Sequence, residues 1–144
     1  EVTFDVRVLP GQDRDDVEAE LHSALGDLAD QVTWEFDFAD PATSSPLETP
    51  LWEILQKHAG ELVPGATNVP FTITGSTDSR FLRQLGATCY GYGLYSERIP
   101  LSDFAEMFHG NDERIDQQSL DLTTQLWMQV VPDLLGSRTG RWTG

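Results

Sequence analysis

The chain has 144 residues, 39% of them hydrophobic, and four Trp, which is enough to bury a core and argues against disorder. No apolar run approaches the roughly 18 residues of a membrane span. Acidic residues outnumber basic ones 24 to 9, for a formal charge of −15, and such a chain repels phosphate backbones, so nucleic-acid binding is not expected.

Val2, Phe4, Val6 and Val8 alternate with polar residues, the pattern of a strand with one buried face. After the turn "LPGQD", Val17, Leu21, Leu25 and Leu28 follow helical spacing from Asp13 to about Ala29. Acidic residues in the first turn of that helix suit its dipole. Val32, Trp34, Phe36 and Phe38 restore the period of two. Strand, helix, strand over residues 1–39 is about half of a split β-α-β-β-α-β sandwich. "ADPATSSPLETP", residues 39–50, is the best linker candidate.

Thr49 and Pro50 then open a helix with an apolar stripe of Trp52, Leu55, Ala59 and Leu62. "VPFTITG" (69–75) reads as a buried strand. "STDSRFLRQLG" follows as a short helix, capped by Thr77 or Asp78 and stopped at Gly86. "ATCYGYG" reads as a further short strand with glycines where a backbone or ligand can come close. A loop of about twenty-five residues carries "RIPLSDFAEMFHGNDERI", a length uncommon without a purpose. Leu120, Thr123, Trp127, Val130 and Leu134 mark a last helix, broken or kinked near Pro132. The tail "GSRTGRWTG" reads as loose. Helices alternating with strands favour an α/β layer.

Cys89 is the only cysteine, so the chain can form no internal disulfide and no thiolate cluster. In "GSTDSRFL" a glycine ends a strand and polar residues open a helix. That is where an open α/β sheet gathers ligands and where free N–H groups favour a carboxylate. The plain alternative is a cap from Thr77 or Asp78, with Arg80 as the solvated partner of Asp78. His109 has a similar pair of readings. A loop histidine is ordinarily a surface group, yet a neutral imidazole is a good zinc ligand. Asp112 and Glu113 stand where a ligand histidine finds its orienting carboxylate. His22 and His58 are assigned no role.

Taken in order, a strand ending "LPGQ", an acidic helix, "TGSTDSRFLRQLGATCYGYG", "HGNDERI" and an apolar terminal helix resemble the C-terminal half of the dinuclear zinc amidohydrolases. That family includes aminoacylase, acetylornithine deacetylase, succinyl-diaminopimelate desuccinylase and carboxypeptidase G. The resemblance covers nearly the whole chain, and its most specific parts are "GSTDSRFLRQLG" and "HGNDER". It implies an α/β fragment: residues 1–40 as the second half of a ferredoxin-like lid and dimerisation domain, and residues 41–144 as the C-terminal part of a mixed-sheet catalytic domain. The opening at Glu1, without Met and already strand-like, reads as a piece cut from a longer protein.

The resemblance also implies a chemistry. Two Zn ions (or Co or Mn, as availability decides) about 3.5 Å apart activate a bridging water for attack on an amide carbonyl. His109 matches the last metal ligand. Thr77, Asp78 and Arg80 match the substrate side, with Arg80 or nearby amides for a carboxylate or oxyanion. Glu113 and Arg114 brace the His109 loop through an ion pair, with Asp112 beside them. The expected substrates are N-acyl amino acids or small peptides, the expected assembly a homodimer through the lid, and the expected location the cytoplasm. The general base and the other metal ligands match nothing in this chain, so these residues by themselves are expected to be inactive and to hold no metal. The alternative is a non-catalytic dimerisation or anion-binding module derived from the same family.

Overall fold

The computed structural model describes residues 1–37 and 40–136. Its helices are α1 (Arg14–Leu25), α2 (Pro50–Leu62), α3 (Ser79–Gln84), α4 (Leu101–Met107) and α5 (Gln117–Gly136), and a 3-10 helix, Gly26–Gln31, follows α1. No helix among the described residues is long and apolar enough to cross a membrane. Contacts divide the chain into two compact units. The first holds Glu1–Ser45 and Thr72–Cys89; the second holds Pro46–Phe71 and the chain from Tyr90 on.

In the first unit, α1 starts where its side chains satisfy its open amides. The Asp13 carboxylate accepts from the amides of Asp15 and Asp16, while Asp16 accepts from the Asp13 amide, so both donors are met reciprocally. Arg14 Nε lies 2.8 Å from Glu18 Oε1 one turn on. The helix stops four residues sooner than the spacing predicts. Gly26 takes φ +52, the left-handed region open to glycine, and Ala29 becomes the buried residue of the 3-10 helix. Arg14 lies over the Phe36 ring, and His22 meets Trp34 edge-on, which ties α1 to residues 34–36.

The second unit contains the core. Leu55 and Ala59 of α2 pack with Leu126 and Val130 of α5, one residue per turn from each helix. Leu51, Ile54, Leu62, Tyr90, Tyr92, Leu94 and Trp127 surround them. Thr49 caps α2: its Oγ1 accepts from the Trp52 amide at 3.1 Å and Pro50 occupies the first helical position. The same hydroxyl meets Tyr90 OH at 2.6 Å, and that OH donates onward to the Pro46 carbonyl. Trp52 packs edge-on against Tyr90 and Tyr92. The segment 90–96 is thus laid along the helix pair by side chains. Thr123 of α5 both accepts from the Leu94 amide and donates to the Leu94 carbonyl, each at 2.9 Å.

The helices expected from spacing are present, with differences. α5 runs on through Pro132 to Gly136 instead of breaking. Leu126, absent from the expected stripe, is fully buried, whereas Leu120 is exposed. The long loop contains α4, where the Phe104 amide donates to the Pro100 carbonyl and Met107 is buried.

The sheet of the α/β expectation does not appear: among the described residues no strand is paired. Residues 2–8, 32–37, 69–75 and 87–93 carry no ladder. A strand is held by a neighbour's N–H and C=O groups, and among the described residues no such ladder forms along these segments. Apolar side chains of residues 2–6 and 69–73 stand in solvent accordingly, Val2 at 73% and Phe71 at 86% exposure, whereas Trp34, Phe36, Tyr90 and Tyr92 are partly covered by other contacts. Phe38 and the tail after Gly136 lie outside the described residues.

Candidate functional site

α3 is six residues long and ends in a reverse turn at Gly86, φ +85. The Gly86 amide donates to the Arg83 carbonyl and the Ala87 amide to the Leu82 carbonyl, closing the helix as the sequence predicts. Its start differs from the capped form expected. Asp78 stands at the cap position but its side chain makes no capping bond. The Arg80 and Phe81 amides donate to the Thr77 and Asp78 carbonyls, so those two are already engaged. Thr77 and Asp78 have exposed side chains.

Arg80 does not pair with Asp78. Its Nη1 lies 2.5 Å from Asp40 Oδ2 and donates to Ser76 Oγ at 3.0 Å, with the guanidinium over the Phe81 ring. Its Nε is buried without a partner. The side chain is about one-third exposed. The contact uses one end of the guanidinium, so Arg80 faces a carboxylate by one nitrogen and not by its bidentate fork. Spacing alone could not locate Asp40, which is forty residues away and lies in the linker. Beside it, Arg83 ties the linker to the segment after α3. It donates to Ser45 Oγ, Thr43 Oγ1 and the Cys89 carbonyl, and the Cys89 amide donates to Ser45 Oγ. Cys89 is a free thiol, half-buried.

In the second unit His109 is exposed and has φ +59, a left-handed backbone unusual for a residue with a Cβ. Asp112 has φ +60. His109 follows Phe108, the C-cap of α4, and the Gly110 amide donates to the Met107 carbonyl at 2.8 Å. At Gly110 an added Cβ would lie 3.2 Å from that carbonyl oxygen, a tight approach that a larger residue could relieve only by a small shift of the backbone. The imidazole stacks on Phe108 at 4.3 Å between centroids. Phe108 meets Phe104 at 5.9 Å, and Phe104 meets Tyr95 at 5.1 Å. The ion pair expected between Glu113 and Arg114 does not form; Arg114 donates to the Asp112 carbonyl at 2.9 Å instead. Among the described residues no three His, Cys, Asp or Glu side chains converge to hold a metal. A catalytic zinc takes about three protein ligands, so the donor set described does not fit a complete metal centre.

Two polar clusters escaped the sequence reading. The Asp116 carboxylate accepts from Ser96 Oγ, from the Ser119 amide and from Ser119 Oγ, and the Ser96 amide donates to Ser119 Oγ. Hydrogen bonds led by the Ser119 hydroxyl hold the Asp116 carboxyl down to about 2. The second cluster joins α2 to α5. Buried His58 has Nδ1 2.9 Å from Glu61 Oε2 and Nε2 2.8 Å from Asp133 Oδ2, and Lys57 Nζ lies 2.9 Å from the same Asp133 oxygen. Hydrogen bonds from Lys57 and then His58 lower the Asp133 pKa. The i, i+3 spacing of Asp116 and Ser119 is a helix-start signal in the sequence, whereas nothing local points to their partner Ser96.

Comparison with known proteins agrees with the amidohydrolase resemblance at a broad level. Aminoacylase-1A and aminoacylase-1B of Rattus norvegicus are each 28% identical to the chain over 142 residues, covering 92% of the chain and 33% of either relative. The N-fatty-acyl-amino acid synthase/hydrolase PM20D1 of Xenopus tropicalis is 28% identical over 93 residues, covering 64% of the chain and 18% of that protein. The chain thus spans about a third of the length of the aminoacylases it matches. No family model and no solved structure matches it. The chain is similar to aminoacylases along nearly all of its own length.

Proposed function

We propose that this chain is part of a hydrolase that cleaves the amide bond of N-acyl amino acids or small peptides. One observation carries the reading: the similarity to aminoacylases runs over 92% of the chain, the span that contains "GSTDSRFLRQLG" and "HGNDER". His109 is one imidazole donor to a metal centre whose other donors come from outside these residues. A metal pair, if bound there, would supply an activated water. The residues described act on the substrate side. Arg80 presents a cation to a substrate carboxylate, which takes over the nitrogen now facing Asp40. Thr77 and Asp78 border that position. Asp112, Glu113 and Arg114 shape the turn that carries His109. The described residues alone lack the donors for catalysis and are inactive by themselves.

A second reading is a non-catalytic module that associates with another copy. Exposed Val2, Phe4 and Val6 in an alternating segment favour it, because an unpaired edge of that kind pairs readily. The two are separated by assaying the full-length protein on a panel of N-acetyl amino acids. The hydrolase reading expects release of free amino acid, lost when the substrate carboxylate is amidated. A stable dimer with no release on any member of the panel supports the second reading.

A further inference from the structure

The segment that carries His109 leaves the helix pair at Ser96 and rejoins it at Asp116. Its two ends meet there: Ser96 Oγ donates to Asp116 Oδ1 at 2.9 Å, and the Ser96 amide donates to Ser119 Oγ at 2.8 Å. Ser119 is 1% exposed and Ser96 9%. Each side-chain oxygen of Ser96, Ser119 and Asp116 is paired: Ser119 Oγ donates to Asp116 Oδ2, and the Arg98 amide donates to Ser96 Oγ. A satisfied buried polar network holds one geometry, and a half-satisfied one does not.

From the knot a second set of contacts leads outward. Tyr95, the neighbour of Ser96, packs on Phe104 of α4; Phe104 reaches Phe108; Phe108 stacks on His109. Residues 97–115 otherwise hold little of the core, with Met107 their buried apolar side chain. A segment with so few buried contacts takes its shape from its anchors.

We infer that Ser96, together with Asp116 and Ser119, is a positioning residue for His109: the knot pins the base of the 97–115 segment, and the Tyr95–Phe104–Phe108 rings carry that fixed base to the imidazole. The inference rests on the hydrolase reading for its effect on catalysis, but not for the anchoring. Ser96→Ala is the chosen variant because it removes the side-chain cross-segment bond from Ser96 Oγ to Asp116, one of the two that join the ends, and leaves Asp116 bonded to the Ser119 amide at the start of α5. Asp116→Ala would strip that helix start as well.

Two readouts on the full-length protein test it. Backbone amide exchange in Ser96→Ala is expected to quicken across residues 97–115 while α2 and α5 keep their protection. Turnover of an N-acetyl amino acid is expected to fall about tenfold in kcat, with KM within about twofold, since the imidazole is displaced from its working position while substrate contacts elsewhere persist. Exchange unchanged over 97–115 overturns the anchoring by the Ser96 hydroxyl. Faster exchange with unaltered kcat overturns the positioning role and leaves a purely structural knot. If Ser96→Ala does not fold, Phe104→Leu breaks the ring series at its midpoint, and the same two readouts decide. A wild-type protein that hydrolyses none of these substrates removes the hydrolase reading and the positioning role with it, whereas the exchange result still stands or falls by itself.

Discussion

Asp133 shows how one side chain answers two partners. It accepts from Lys57 and from His58, both on α2, so a single carboxylate of α5 is held by two consecutive residues of the facing helix. Those hydrogen bonds lower its pKa from the ordinary 3.8. The sign of the consequence follows from the unfolded chain, where the partners are gone and the ordinary value returns. The contribution is complete above the ordinary carboxylate value and is lost as pH falls through it toward the lowered folded value. Wild type should therefore melt higher than Asp133→Asn near neutral pH, and the gap should close as the pH is lowered below about 4. Thermal melts of both proteins across that range check this; a gap of constant size would mean that the ion cluster adds nothing to the pairing of α2 with α5. The sequence alone hid this cluster. His58 has the spacing of a residue beside an apolar stripe, and nothing local reveals that a carboxylate seventy-five positions on will face it.

At the scale of elements, what could be read early was what is decided within a turn or two of chain. Asp13, Thr49 with Pro50, and Gly86 each act on amides or carbonyls close in sequence, and each marks a helix end in the structure. The expected strands depend on partners, and period-two patterning states which face would be buried without supplying the neighbour that buries it. α4 escaped because it is only seven residues long and its start is Pro100, with no polar cap to announce it. The stripe on α5 was read one position astray at Leu126, since Trp127 and Leu126 share the apolar run and only the approach of α2 decides between them. That position now carries the element-scale expectation. Leu126 is fully buried against Leu55, Ala59 and Val130. Leu126→Ala removes that contact and leaves a cavity, at a cost of about 3 kcal/mol. Leu120→Ala, on the exposed side of the same helix, should cost well under about 1 kcal/mol. Denaturant unfolding of the two variants compares them directly, and equal losses would place the core elsewhere.

For the molecule as a whole, the order of motifs said more than any one of them. A polar helix start and a loop histidine are each ordinary features of a soluble domain. In sequence with an acidic helix and an apolar final helix they resemble amidohydrolases, and the aminoacylases match across the same span. The structure adds what order cannot: Arg80 already faces a carboxylate, Asp40, and His109 sits on a pinned segment in a left-handed turn. Among the described residues no group of three donors gathers at His109. The claim that His109 serves a metal centre completed by other residues is therefore the one on which the functional account turns. Its most direct test is metal content and turnover of the full-length protein, compared with His109→Ala. The account predicts that the variant binds less metal per protomer and loses about a hundredfold or more in kcat on N-acetyl amino acids while its fold is kept. Metal content and kcat both equal to wild type would contradict it.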